Sequence, residues 1–400
     1  MALRSTHIVF VHGFFGWGPR EFGGLPYWGD ALEQIGEPFV VHEAKVGPLS
    51  SFHDRACELF AQLAGGRVDY GAEHSAEARH ARYAREYHEP MAPDWSAENP
   101  VILVCHSAGA QTALQLQSLL AQDFWGRGTD ADWIEAVVSV AGAINGSLLP
   151  YWFGCDQASG RLRRTPSQLI GASLNFLGLA AGVPSSMRKP FDLYLDQWTG
   201  DETDIEEAMA RLDRGAFISG EDNLGFDLTL QGCRKANGKF RSHPGAYYLS
   251  LVTNATHVGG AFGLPWFGRS WRPDSTINPV LWRPALYQAR EANFAIPPIV
   301  GWGGGDLALA QWRPNDGAVS VISQRYPFTA REEPVGGEGV FGRRDLKRGR
   351  WYYEYLDRAV GNRFDHFDTV IGARLKPWVR GLREAHREVY LRLGETLRQL

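Results

Sequence analysis

The chain has 400 residues, 44% of them hydrophobic and 22% charged, with a formal net charge of −4. Such a length and apolar content can bury a large core, and so small a charge gives no reason to expect a nucleic-acid partner. The four cysteines, Cys57, Cys105, Cys155 and Cys233, show no paired spacing typical of a metal knuckle or a disulfide framework.

Residues 1–6 lack the long apolar segment of a signal peptide, and no run in the sequence is long enough to cross a membrane. The expectation is a soluble chain, either cytoplasmic or the mature form of a secreted one. His7-Ile8-Val9-Phe10-Val11 reads as a buried strand. It runs into His12-Gly13-Phe14-Phe15-Gly16-Trp17-Gly18, a glycine-rich loop of the kind that supplies one backbone N–H of an oxyanion hole in α/β-hydrolases.

Phe39 to Ala44 is a further strand, and Phe52 to Ala64 a helix. Residues 65–99 then turn polar and rich in histidine, glutamate and arginine. Asp54, His74 and His80 fall in or beside this stretch, and two imidazoles with carboxylates suit zinc. The plainer reading is a solvated polar insertion.

Val101-Ile102-Leu103-Val104 has the continuous apolar character of a strand buried on both faces. It meets the small-residue turn Cys105-His106-Ser107-Ala108-Gly109, after which Ala110 to Leu116 reads as a helix. This is the pattern of a nucleophile elbow, with Gly109 in place and Cys105 replacing the first glycine.

Trp133 to Ala141 is another strand. Leu169 to Ala181, between Pro166 and Pro184, is an apolar helix suited to a core or to a mobile lid over an apolar pocket. Residues 199–245 mix charged helical turns with glycine breaks, and Tyr247 to Thr253 is a late strand. Residues 260–315, rich in tryptophan, proline and glycine, read as a long surface excursion. Turns follow at Asn315-Asp316-Gly317 and Phe364 to Asp368, and Lys376 to Leu400 reads as an amphipathic helix.

A serine hydroxyl becomes a useful nucleophile only when an imidazole takes its proton and a carboxylate orients that imidazole. Ser107, Asp316 and His366 occur in the chain order of α/β-hydrolase triads. The backbone N–H groups of Phe14 and Ala108 would complete the oxyanion hole.

These segments together resemble the zinc-containing bacterial lipases of the thermoalkalophilic type. The likeness is closest at Val46 to Ser51, Asp54 to Glu58 and Gly65 to Ala72, and extends to His80 to Tyr83. It continues at Leu195 to Trp198, Tyr247 to Ser250, Asn315 to Gly317 and Asp365-His366. The resemblance implies one α/β-hydrolase domain over residues 1–400: a mostly parallel sheet flanked by helices, a zinc-binding insertion at 65–99 and a lid at 150–235. It implies catalysis by Ser107, Asp316 and His366, with Phe14 and Ala108 at the oxyanion. It further implies a structural zinc ion held by Asp54, His74, His80 and Asp196, and a secreted protein.

Where relatives carry alanine and glutamine, this chain has Cys105 and Ala108. A calcium site of the family is represented by Asp368 alone, without the aspartate-proline that follows it. The implied activity is hydrolysis of lipid esters, with a possible lipid–water interface. A broader carboxylesterase or polyester hydrolase, and a catalytically silent binding protein of the same fold, are the alternatives.

Overall fold

The computed structural model describes residues 6–163, 168, 192–200, 205–260, 270–291, 309–329 and 334–400. Strands β1 (His7–Val11), β2 (Val40–Ala44), β3 (Val101–His106), β4 (Ile134–Val140), β5 (Tyr247–Val252), β6 (Val335–Glu338) and β7 (Trp351–Tyr355) form one sheet. Their order is β6-β7-β5-β4-β3-β1-β2, and every neighbouring pair is parallel. Parallel strands need covered crossovers, so such a sheet is buried on both sides.

Alternate residues of one strand show this directly. Ile8 and Phe10 of β1 face a core shared with Leu382, Val389 and Leu393, whereas Val9 and Val11 face a core shared with Leu59, Leu63 and Leu116. Complete burial of each such side chain is worth roughly 1.5–3 kcal/mol. Helices α1 (Ala31–Ile35), α2 (Phe52–Ala64), α4 (Ala108–Leu120) and α8 (Leu382–Leu397) pack on the sheet, and α3 (Ala72–Ala78), α5 (Leu149–Trp152), α6 (Asp196–Thr199) and α7 (Pro279–Glu291) lie among the connections.

Helix α2 spans the predicted residues for local reasons. The Ser51 side chain accepts the N–H of Asp54 at 3.2 Å, an N-cap, and Gly65 ends the helix at φ +74°. The polar 65–99 stretch contains an antiparallel ribbon, Gly66–Asp69 against Tyr83–Tyr87, with α3 between its strands.

Three expectations shift. The C-terminal helix begins at Leu382 rather than Lys376, because Pro377 and the left-handed Gly381 precede it. Helix α7 lies inside the expected surface excursion and contains Pro284. Edge strand β6 and its neighbour β7 had no expected counterpart. The apolar helix expected at Leu169 to Ala181 lies outside the described residues.

Candidate active site and metal cluster

Ser107 links β3 to α4 with φ +55° and ψ −121°, a left-handed conformation costly for any residue with a Cβ. Small neighbours make room for it. A Cβ on Gly13 would lie 2.6 Å from the Ser107 Cβ, and one on Gly109 would lie 2.3 Å from the Val11 carbonyl oxygen. Cys105 needs no glycine, since its fully buried side chain packs into the core beneath α2 and α4.

The three separated residues meet. His366 Nε2 lies 2.9 Å from Ser107 Oγ, and His366 Nδ1 lies 2.9 Å from Asp316 Oδ2. Asp316 is wholly buried. Its Oδ2 also accepts the Thr253 hydroxyl at 2.7 Å, and its Oδ1 accepts the N–H groups of Ala318 at 2.9 Å and Val319 at 2.7 Å. Burying a carboxylate is costly unless its oxygens meet donors, and here both oxygens do.

Ala108 opens α4, so its N–H is among those without an intrahelical partner. The facing loop, which carries Phe14, is braced by Arg55 of α2. This buried guanidinium donates to the carbonyls of His12 at 2.5 Å and Gly47 at 2.7 Å and to Thr112 Oγ1 at 2.8 Å.

A second brace was not expected. Gly13 N–H donates to Tyr27 Oη at 3.2 Å, Tyr27 Oη lies 2.6 Å from His106 Nδ1, and His106 Nε2 lies 3.0 Å from the His366 carbonyl. A carbonyl only accepts, so Nε2 of His106 carries the proton and Tyr27 donates to Nδ1. Burial holds this imidazole well below its ordinary pKa, so it stays neutral. The chain of bonds joins the oxyanion loop to the histidine loop.

Above Ser107 lies a pocket of about 980 Å³, its mouth included. Phe14, Leu149, Phe153, Leu162, Leu228 and Val319 are among its apolar lining. Residues 149–162 and 225–228, from the region expected to form a lid, supply one wall. Beside this wall the indole of Trp152 on α5 is 41% exposed and meets the Tyr287 ring of α7 edge-on at 5.3 Å.

At the N-terminal turn of α2, Asp54 joins His74, His80 and Asp222 to bring four ligand atoms together. His74 Nε2 lies 3.1 Å from Asp54 and 3.4 Å from Asp222, and His80 Nε2 lies 3.6 Å and 3.2 Å from the same carboxylates. Tetrahedral zinc with N and O ligands at about 2.0–2.2 Å sets its donors roughly 3.3–3.6 Å apart. His80 Nε2 and Asp222 Oδ2 are buried without a hydrogen-bond partner, as atoms awaiting a cation would be. The outer contacts suit a metal as well. His80 Nδ1 is 2.8 Å from the Ala81 carbonyl, and Asp54 Oδ2 accepts Gln197 Nε2 at 2.8 Å.

Asp196 is not in this cluster, which corrects the expected ligand set. Its carboxylate takes a paired contact from Arg85, Nε at 2.5 Å and Nη2 at 2.6 Å. Successive residues of the α6 turn point in different directions. The turn therefore presents Gln197 and Trp198 to the cluster and sends Asp196 toward Arg85. Asp222 was missed because it is 142 residues beyond His80 in sequence, in the Gly220-Glu221-Asp222-Asn223 turn, with no spacing rule to connect them.

Asp368, the expected calcium ligand, meets a side-chain cation: its Oδ2 lies 2.7 Å from the Lys376 ammonium.

Comparison with known proteins follows this geometry. Residues 4–127 match the family described as lipase-like, C-terminal domain. The chain is 26% identical over 384 residues to Lipase 2 of Staphylococcus aureus, covering 88% of this chain and 50% of the relative. It thus spans about half the length of the curated relatives it matches. EstA from Clostridium botulinum superimposes with a TM-score of 0.73 at 27% identity, covering 100% of this chain and 88% of that one. Lipase 1 from Pelosinus fermentans gives a TM-score of 0.69 at 25% identity, with 100% of both chains covered.

Proposed function

We propose, from the premise that this chain belongs to the bacterial lipase family of these relatives, that it is a serine carboxylic-ester hydrolase acting on lipid esters. The observation that carries this reading is the Ser107–His366–Asp316 hydrogen-bonded line at the floor of an apolar pocket.

His366 Nε2 takes the proton of Ser107 Oγ as that oxygen attacks the ester carbonyl. Asp316 holds the ring with Nδ1–H toward itself and stabilises the imidazolium that forms. The N–H groups of Ala108 and Phe14 receive the oxyanion, each worth ~10²–10³ in rate. His366 then protonates the leaving alkoxide, and a water activated by the same ring releases the acid from the acyl-enzyme. The apolar lining accepts an acyl chain, and the exposed Trp152 beside it suits a lipid–water interface. Asp54, His74, His80 and Asp222 would hold zinc. With all four positions filled by protein, that ion would clamp α2, the 65–99 insertion and the Asp222 turn rather than contact an ester.

A fluorophosphonate probe is expected to label Ser107, and Ser107→Ala to lose p-nitrophenyl ester turnover while melting within about 2 °C of the parent. Retained turnover in that variant would refute the nucleophile. A butyrate-to-palmitate series on the parent should favour the longer chains; a sharp optimum at butyrate would recast the protein as a short-chain esterase.

A further inference from the structure

Lys376 is 2% exposed, yet it carries a charge. Its ammonium has three acceptors: Asp365 Oδ2 at 2.8 Å, Asp368 Oδ2 at 2.7 Å and the Thr276 carbonyl at 2.8 Å. That satisfies all three of its donors. The two carboxylates flank His366 in sequence, and both are 1% exposed. They also shape the turn between them. Asp368 Oδ2 accepts the Asp365 N–H at 2.9 Å, Asp365 Oδ1 accepts the Phe367 N–H at 3.0 Å, and Asp365 Oδ2 accepts the Asn278 N–H at 2.6 Å.

The turn therefore brings two carboxyl groups together in a water-poor setting, where their charges would repel. Burial and the neighbouring Asp365 push the Asp368 carboxyl well above the usual carboxylate range, and the Lys376 ammonium pulls against them. Without a cation between them, one carboxylate must take up a proton or the turn must open. The His366 backbone is also held directly: its N–H donates to the Asp316 carbonyl at 3.0 Å, and its carbonyl accepts from His106 Nε2 at 3.0 Å and Thr369 Oγ1 at 3.3 Å.

We propose that Lys376 is a positioning residue for the general base: a tethered cation that fixes the Asp365–Asp368 turn and thereby keeps the His366 imidazole in line with Ser107. The inference rests on the reading of His366 as the base. Lys376 touches no reacting atom; it does with one covalently attached charge what a divalent ion could do among the same oxygens.

Two variants test it. Lys376→Met keeps the bulk of the side chain and removes the charge. It should lower kcat at least tenfold with KM for a soluble ester within about twofold, because the pocket walls are untouched while the base loses its alignment. Lys376→Ala leaves a hole lined by two carboxylates and a carbonyl, an oxygen set suited to calcium. Calcium at about 5 mM, above the ~10⁻⁴–10⁻³ M dissociation constants of weak sites, should raise both kcat and Tm of this variant and leave the parent unmoved.

A Lys376→Met enzyme with parental kcat would overturn the proposal, as would a Lys376→Ala enzyme whose kcat and Tm both ignore calcium. If Lys376→Met does not fold, Asp368→Asn tests the same turn with the ammonium still present, and parental kcat there counts equally against it. His366→Ala separates the two levels. Full turnover in that variant means the base assignment has failed; a dead His366→Ala beside an unimpaired Lys376→Met means that only the tether has failed.

Discussion

Tyr27 shows how a residue outside the triad can set its alignment. Its hydroxyl is the one link between the Gly13 amide and His106, and through His106 it reaches the His366 carbonyl. Tyr27→Phe removes a single oxygen and leaves His106 Nδ1 unpaired in a buried site. A loss of about 1–1.5 kcal/mol of alignment should appear as a roughly tenfold drop in kcat/KM at unchanged fluorescence spectrum and near-parental Tm. At this scale the sequence was legible where one local pattern carries its own chemistry. Ser107 follows an apolar strand and precedes a helix, and Asp316 and His366 sit in turn-like sequence. Tyr27 and Asp222 were not legible, because their roles come only from what the fold places beside them. A carboxylate in a glycine-flanked turn looks the same whether it meets water or two imidazoles.

Among the elements, α2 joins two sites. Asp54 points to the metal cluster, and the next residue, Arg55, points the other way to brace the oxyanion loop. The cluster assignment gives a direct discrimination between two aspartates. Asp222→Asn should lower the zinc content of purified protein well below one ion per chain, and Asp196→Asn should leave it near that of the parent; elemental analysis reads both. Chelation of the parent should lower Tm more than the initial rate, since an ion there would join α2, the 65–99 insertion and the Asp222 turn rather than act on the ester. The elements themselves were legible in proportion to their burial. Strands β1, β3, β4 and β5 are covered on both faces and read as apolar runs, whereas β6, with Gly336 and Gly337, offers no such run. Helix α7 was hidden by Pro284, whose ring usually argues against a helix interior.

Over the whole molecule, the two ends of the chain are locked through Asp30. This side chain is 1% exposed and takes Arg374, Arg383 at 2.9 Å and Arg387 at 2.8 Å, residues more than 340 positions away. Burial pushes its carboxyl up, but hydrogen bonds from Arg383, Arg374 and Arg387 outweigh that and hold it well below the ordinary carboxylate range. A carboxyl depressed in the folded state stabilises it above the unfolded pKa of about 4 and loses that contribution as pH falls below it. Asp30→Asn should therefore lower Tm at pH 7 by about 1–2 °C, equivalent to roughly 1–2 kcal/mol with its partners partly in solvent, and the gap should begin to narrow only below about pH 4. The same distances along the chain bear on assembly. The serine–imidazole contact spans 259 residues and the imidazole–carboxylate contact 50. A ribosome that has released residue 350 has finished the proposed nucleophile and most of the sheet, but not the proposed base. Recovered turnover after dilution from denaturant would accordingly report the last step of assembly, arriving no sooner than the slowest return of tertiary signal.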